Sequence, residues 1–347
     1  MPDSPERGFE LALYYAVTHD TERGSEAVQW AGAHPCERRQ VALILDWASD
    51  LVPPPARELW LNTKCPAKED AEDARDAVFL QIAAGVDADD VVEKTSKPLM
   101  AGLQLGWHDG AKLYAALEYL YAVRAAERTD LRQEAPQFFS LLPSALLLSL
   151  KPDEVEHPNW RLHIAALALV DLDPNLNSSQ YLQGWAIEDR QTIREGEGVA
   201  YELLWADPYL PGVGYQNLDP WSYDMAGRLF ARTDWNPNAC WIHVSPSGID
   251  QQNCPEAWKQ QTTTFGRLTL IPFSSPCVQL PRRRNEEAVM IWKFQPGQTI
   301  YYRLNDAAQS SVSADAAGMW KAPANAEGKV CDKLTGLDPV VREKRKP

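Results

Sequence analysis

The feature that most constrains this chain is a change of texture near residues 208–222. Before it, apolar residues recur with the spacing of packed helices. After it, short β-rich runs alternate with turn residues. Segment 8–18, GFELALYYAVT, carries apolar residues on more than one side, as in a helix packed between neighbours. Segment 38–52 repeats that pattern and stops at Pro53-Pro54-Pro55. Segment 67–83 opens on a run of acids, which is favourable near a helix N-terminus. Segment 109–128 has Asp109 placed to cap it and apolar Leu113, Leu117, Leu120 and Tyr121 along it. Segment 131–150 runs through Pro143, segment 159–171 ends before Asp173-Pro174, and 178–195 supplies one more helix. No alternating strands interrupt this series, so a helical array or toroid is expected up to about residue 208.

After a linker over 209–221, the runs at 228–235, 239–245, 266–273, 288–294 and 299–304 are expected strands. Their spacing near ten residues suggests antiparallel sheets in a sandwich over 222–306. Residues 307–347 are small and polar, end in REKRKP, and are expected to form a loosely ordered tail. The fold class is therefore α+β and multidomain: an incomplete α/α toroid followed by an antiparallel β-sandwich.

Charge narrows the partners. The net charge of -14 resides in residues 1–200, and the remainder is close to neutral. An acidic first half argues against nucleic acid. The densest cationic spot is Arg282-Arg283-Arg284, a run that is more often a solvated turn than a site. No apolar run approaches the roughly 20 residues a membrane helix needs, so no membrane insertion is expected. The start, MPDSPERGFE, lacks the basic and apolar regions of a signal peptide. Cys36, Cys65, Cys240, Cys254, Cys277 and Cys331 form no CxxC pair. A structural zinc site is not expected, and no metal or other cofactor is implied. Six cysteines permit disulfides in many pairings, or buried thiols.

Chemistry concentrates in 195–221, EGEGVAYELLWADPYLPGVGYQNLDPW. Carboxylates, phenols and indoles in an irregular connection suit a carbohydrate site: carboxylates and phenols move protons, and ring faces stack on sugars. The same aromatics could equally pack a domain junction. Trp205, Tyr209 and Tyr215 are the candidate stacking residues. Glu197 and Tyr201 are four apart, as are Asn159 and His163, so each pair shares a helix face. An amide and an imidazole there could bind a carboxylate and exchange a proton, although a buried polar pair joining two helices is the commoner use. His243 in ACWIHVS reads as a surface side chain. No GxSxG, P-loop, GxGxxG or HExxH motif is present, which removes the usual supports for serine hydrolases, NTPases, Rossmann dehydrogenases and zincins.

The order of segments resembles the heparinase II/III-like polysaccharide lyases, which join an incomplete α/α toroid to β-sandwich sheets. LALYYAVTHD is similar to the family's repeated toroid helix, and HPNWRLHIAALALVDL to the helix bearing an active-site Asn. GEGVAYELL resembles the Glu-Gly-x-x-Tyr helix turn, and RLFARTDWNPNACWIHVSPSG the first sandwich strands. IDQQN stands where the family often has an Asp-His-x-His segment. The resemblance covers most of residues 8–300.

It implies an acidic polysaccharide or oligosaccharide partner and β-elimination. A base removes the proton α to a uronate carboxylate, an amide or cation neutralises that carboxylate, and an acid protonates the leaving oxygen. By motif, Asn159 would neutralise the carboxylate and Tyr201 would be acid or base, oriented by Glu197. His163 would assist proton transfer, and Gln251, Gln252 and Asn253 would line the cleft. The resemblance also implies a periplasmic or secreted location. The chain departs from the family at Gln251, Asn253 and Glu202, which replace His residues, and it is short for both domains. Two other functions fit the composition. One is a glycan-binding relative without catalysis. The other is a glycoside hydrolase pairing Glu197 with Asp207 or Asp219, which would need carboxyls roughly 5–9.5 Å apart.

Overall fold

The computed structural model describes residues 4–68, 70–107, 110–155, 159–188, 198–224, 227–280, 288–292, 294–305 and 307–337. The protein is α+β, with eleven α-helices and twelve strands among the described residues. It divides into two compact units, Met1–Pro143 with His157–Tyr215, and Ser144–Glu156 with Gln216–Pro347.

The first unit is helical. Its elements are α1 (Arg7–Thr18), α2 (Thr21–Ala33), α3 (Arg38–Trp47), α4 (Pro54–Asn62), α5 (Asp70–Ala84), α6 (Asp89–Gly106) and α7 (Gly110–Glu127). They are followed by α8 (Pro136–Ser149), which from Ser144 onward belongs to the second unit, and by α9 (Trp160–Leu172), α10 (Asn177–Glu188) and α11 (Val199–Trp205). The odd-numbered helices stack in succession: α1 on α3, α3 on α5, α5 on α7, α7 on α9 and α9 on α11. Of the even ones, α2 packs on α1 and α3, α6 on α5 and α7, and α10 on α9. This explains the odd helices' composition. Helix α7 buries Leu113, Tyr114, Leu117, Glu118 and Tyr119 on several faces, and α9 buries almost its whole length. A helix apolar all round is one surrounded by neighbours.

Local signals set the helix ends. Asp20 caps α2 by accepting from the backbone N–H of Glu22 and Arg23, and His19 in the left-handed region closes α1. Helix α3 ends at Trp47, before the proline run, and Pro54 and Pro55 occupy the first positions of α4, where no backbone donor is needed. Helices α2, α4 and α6 lie between the segments that the apolar pattern singles out.

The second unit stacks three four-stranded sheets. The first has the order β1 (Trp221–Tyr223), β2 (Leu229–Arg232), β3 (Trp241–Ser245), β4 (Gly248–Gln252), all antiparallel. The second has the order β5 (Thr263–Phe265), β6 (Leu268–Pro272), β8 (Ala288–Trp292), β11 (Met319–Ala322). The third has the order β7 (Cys277–Leu280), β12 (Gly328–Cys331), β9 (Thr299–Leu304), β10 (Ser310–Ser313). One apolar cluster joins Ile242 and Val244 of the first sheet to Leu270 and Met290 of the second. Another joins Val289 and Ile291 of the second sheet to Ile300 and Val330 of the third. The middle sheet is thus covered on both faces, which is why AVMIW and LTLIP are apolar without alternation.

Two expectations are corrected here. The middle sheet is mixed, because β6 and β8 run parallel, so the sheets are not purely antiparallel. The stretch after residue 306 is not a loose tail as far as Leu337: β10, β11 and β12 pair with β9, β8 and β7, and Trp320 and Val330 are core residues. Residues 338–347 lie outside the described residues. All six cysteines are paired, as Cys36–Cys65, Cys240–Cys254 and Cys277–Cys331.

Two sequence features have structural uses in this unit. The Arg232 side chain is fully buried, stacks 4.1 Å from the Trp235 ring and donates to the Asp234 and Leu150 carbonyls. The Trp241 indole donates to the Leu148 carbonyl at 2.8 Å. Together they satisfy carbonyls at the C-terminal end of α8 that have no partner within the helix.

Candidate functional site

The helical unit has charge at its centre. Arg39, near the start of α3, is buried, as is Glu118 in the middle of α7. The guanidinium grips the carboxylate through three contacts of 2.7–2.9 Å. Arg75 of α5 reaches the same carboxylate at 3.1 Å and its own neighbour Asp76 at 2.8 Å. Glu6 takes the remaining side of Arg39 at 2.6 Å. The Arg39 guanidinium also lies over three rings, Phe9, Tyr114 and Tyr201. A second chain of hydrogen bonds ends on Glu118: the Trp205 indole donates to the Tyr114 hydroxyl at 3.1 Å, which donates to Glu118 at 2.8 Å.

Burial by itself would raise the Glu118 carboxyl, but Arg39 and Arg75 outweigh it and hold the group below the ordinary carboxylate range. Burial pushes the Tyr114 phenol well up, Glu118 adds to this, and Arg39 opposes it. Burial likewise raises Tyr201, against Arg39, with Glu6 and Glu118 reinforcing the rise. Both phenols are therefore held protonated at neutral pH.

A polar cavity of about 150 Å³ opens beside this cluster. It is built from the first turns of successive helices. Arg39 and Gln40 come from α3, Glu72 and Arg75 from α5, and Ala111 and Tyr114 from α7. Trp160, Arg161 and Ile164 come from α9 and Tyr201 from α11, with Glu6, Glu37 and Lys68 at the edge. The N-terminal ends of α3, α5, α7 and α9 thus face one space. Helix N-termini are poles of partial positive charge, but the lining carries both signs: Glu6, Glu37 and Glu72 stand beside the cations, and Arg39 and Arg75 are paired with Glu118 and Asp76, which leaves Arg161 as the lining arginine outside that cluster.

The sequence-selected residues divide among several settings. Tyr201 lines the cavity and is only 2% exposed, with its ring 4.7 Å from Phe9 and edge-on to Tyr114. Trp205 lies at the other end of α11, bonded to Tyr114. Asn159 is exposed and caps α9, its side chain accepting from the Arg161 N–H at 2.9 Å. The next residue, Trp160, faces Tyr201 across 6.3 Å. His163 is fully buried, with Nε2 at 3.1 Å from Glu202 Oε1 and its ring against Trp185. It joins α9 to α11 as a buried polar pair. Glu197 lies outside the described residues, as do Arg282, Arg283 and Arg284.

The segment after α11 owes its glycine to packing. Gly212 lies against Gly184 of α10, where a side-chain carbon would meet backbone within 2.6 Å. Gln183 donates to the carbonyls of Asp207 and Leu210, and the Val213 N–H donates to Gln180. So pinned, the segment displays Tyr209, which is 93% exposed, while Tyr215 is half-buried. Gln251, Gln252 and Asn253 belong to the sheet unit. Gln251 accepts from the Trp258 indole, Gln252 ends β4, and Asn253 takes a left-handed turn and donates to the Pro237 carbonyl. Asp219 is paired with Arg267 in that same unit. His243 stacks on Phe230, its partner on β2.

No protein-family model matches this chain, and no curated protein matches it. Sequence reading missed Arg39, Arg75, Glu118, Tyr114 and Glu6. A signal existed for one of them: Glu118 interrupts the apolar run of AALEYLYAV, and a charge amid buried positions demands a partner.

Proposed function

We propose that the helical unit receives the uronate groups of an acidic glycan in the polar cavity, and that the protein is a heparinase II/III-like polysaccharide lyase. The observation that carries this reading is the convergence of four helix N-termini, Arg39, Arg75 and Arg161 around one cavity lined by the Tyr201 phenol. A uronate carboxylate would pair with Arg161, the lining arginine outside the Glu118–Asp76 cluster, and Trp160 offers a ring for the sugar face. The succession of stacked odd helices supports an α/α toroid, and the stacked sheets support the sandwich half of the family architecture. Three disulfides support export, since such bonds persist in oxidising compartments.

In β-elimination a base takes the proton α to the carboxylate, the carbon–hydrogen electrons form the double bond, and the bond to the leaving glycosidic oxygen breaks; Glu72, a carboxylate of the cavity lining, would take that proton. The raised phenol of Tyr201 makes it the donor to that oxygen rather than the base. Asn159 and Arg161, at the start of α9, would hold the carboxylate. Tyr209 and Tyr215 are the proposed sugar-stacking residues of this unit.

The test is ultraviolet absorbance of unsaturated uronate on a panel of acidic glycans. Tyr201→Phe keeps the ring and should slow product formation by ~10²–10⁴-fold while leaving glycan affinity nearly unchanged. Arg161→Ala should weaken affinity by roughly ten- to a hundredfold, the value of one charge-assisted hydrogen bond. Undiminished activity in Tyr201→Phe removes the tyrosine from the chemistry.

A second reading is favoured by His163. It is sealed between α9 and α11 and bonded to Glu202, which leaves the proton-accepting role without an accessible imidazole on that helix. In that reading the protein binds the same glycans without cleaving them. Saturable glycan binding with no unsaturated product supports it, and absence of both binding and product rejects both readings.

A further inference from the structure

The opposite ends of the same helices border a second, open-sided cavity of about 320 Å³ with different chemistry. Its walls come from the C-terminal halves of α3, α5 and α7 and from α11: Trp47, Phe79, Ile82, Tyr121, Leu204 and Trp205 are chief among them. Its floor is Phe9 with the Arg39–Glu118 pair, whose charges already satisfy each other.

The polar tips of the wall residues point elsewhere. The Trp205 indole N–H is used by Tyr114, and the Tyr121 hydroxyl by Asp171 and the Ala168 carbonyl. Arg57 donates to the carbonyls of Leu45 and Ala83 near the ends of α3 and α5. Arg124 stacks on Tyr121, and Asp46 sits exposed among the lining residues. Apart from Asp46, what faces the cavity is mainly ring and aliphatic surface. A sugar or an ion would lose its water there and gain little in exchange. An apolar molecule would gain from burying its surface against these walls. The volume is that of a small-molecule site.

We propose that this cavity binds an uncharged apolar small molecule, aromatic or branched aliphatic. The site is independent of the glycan reading. The two linings have only Arg39 in common.

The probe is N-phenylnaphthylamine, uncharged and fluorescent in apolar surroundings, titrated into the full chain. Saturable binding of one probe per chain is expected. Ala122→Trp, which fills the cavity from α7, should weaken it at least tenfold. Leu105→Ala, which trims an exposed leucine on α6 outside the cavity, should change it less than twofold. A uronate oligosaccharide should not displace the probe, so failure of this site and failure of the glycan site are separately visible. Circular dichroism establishes that each variant is folded. If Ala122→Trp is not folded, Ala125→Trp on the same wall replaces it, with the same expectation. Absence of saturable binding, or unchanged binding in a folded cavity-filling variant, overturns the proposal.

Discussion

The two units solve the problem of a protein interior in opposite ways. The sheet unit closes mainly over apolar residues, with Met290 and Ile291 of β8 fully buried on the two faces of one strand, and it satisfies its buried Arg232 with backbone carbonyls rather than with a buried acid. The helical unit places Arg39, Glu118, Arg75 and Asp76 where its odd helices meet, each of them nearly inaccessible to water. Burying ions is expensive unless geometry is excellent, and a well-packed apolar centre is often at least as stable. The sheet unit therefore reads as optimised for packing. The helical unit keeps a charged centre bordered by two cavities, one polar and one apolar, and that is where binding and chemistry are to be sought.

The sharpest way to break this comparison is Glu118→Gln. The amide keeps the shape but leaves two buried guanidiniums without their shared counter-charge. A loss of about 3–5 kcal/mol is expected in chemical denaturation. A loss below about 1 kcal/mol would mean that charge does not hold the helical centre. Acid tests the same point. The folded Glu118 carboxyl lies below its ordinary value of 4.5, so its contribution is complete above that pH and is lost as pH falls through the lower folded value. Helical dichroism should therefore collapse in acid while near-ultraviolet signals of the sheet tryptophans persist. Tyr114 and Tyr201 have the opposite sign. Their raised pKa values give stability that is complete below about 10 and lost as pH rises beyond it. Tyr223 in the sheet unit is raised as well, so alkali should not separate the units.

Next in size are the covalent ties of the sheet unit. Cys277–Cys331 closes a separation of 54 residues and Cys240–Cys254 one of 14. Chain entropy assigns about 4 kcal/mol to the longer loop and about 3 kcal/mol to the shorter. Replacing both cysteines of a pair with serine, followed by denaturant titration, should reproduce that order. Equal losses would show that native packing around the bridges, rather than the unfolded chain, sets their value.

The comparison also explains what could be read from sequence. The strands legible beforehand, β2, β3, β6, β8 and β9, all lie inside their sheets. Those that escaped include every edge strand: β1, β4, β5, β7, β10 and β11. An interior strand needs apolar side chains, whereas an edge strand such as GIDQQ or SSVS is held largely by its backbone ladder and leaves little trace in composition. The parallel pairing of β6 with β8 is a matter of connection, which local pattern does not encode. In the helical unit, Tyr201 and Trp205 were found because aromatics crowd one short segment. The Arg39–Glu118 pair was invisible because its members are 79 residues apart and only the fold brings them together.

The smallest predicted effect separates two roles of one residue. Asn159 caps α9 through its side-chain oxygen, so Asn159→Ala should cost about 1 kcal/mol of stability. Asn159→Asp keeps an acceptor and adds a charge that suits the helix N-terminus, so it should cost nearly nothing. Glycan affinity should respond in the reverse order. If Asn159 holds a uronate carboxylate, the aspartate variant sets two negative charges face to face, and its affinity should fall below that of the alanine variant. Thermal denaturation and glycan titration of the two variants read the two roles independently. Aspartate behaving as asparagine in both measurements would leave Asn159 a helix cap alone and assign the carboxylate to Arg161.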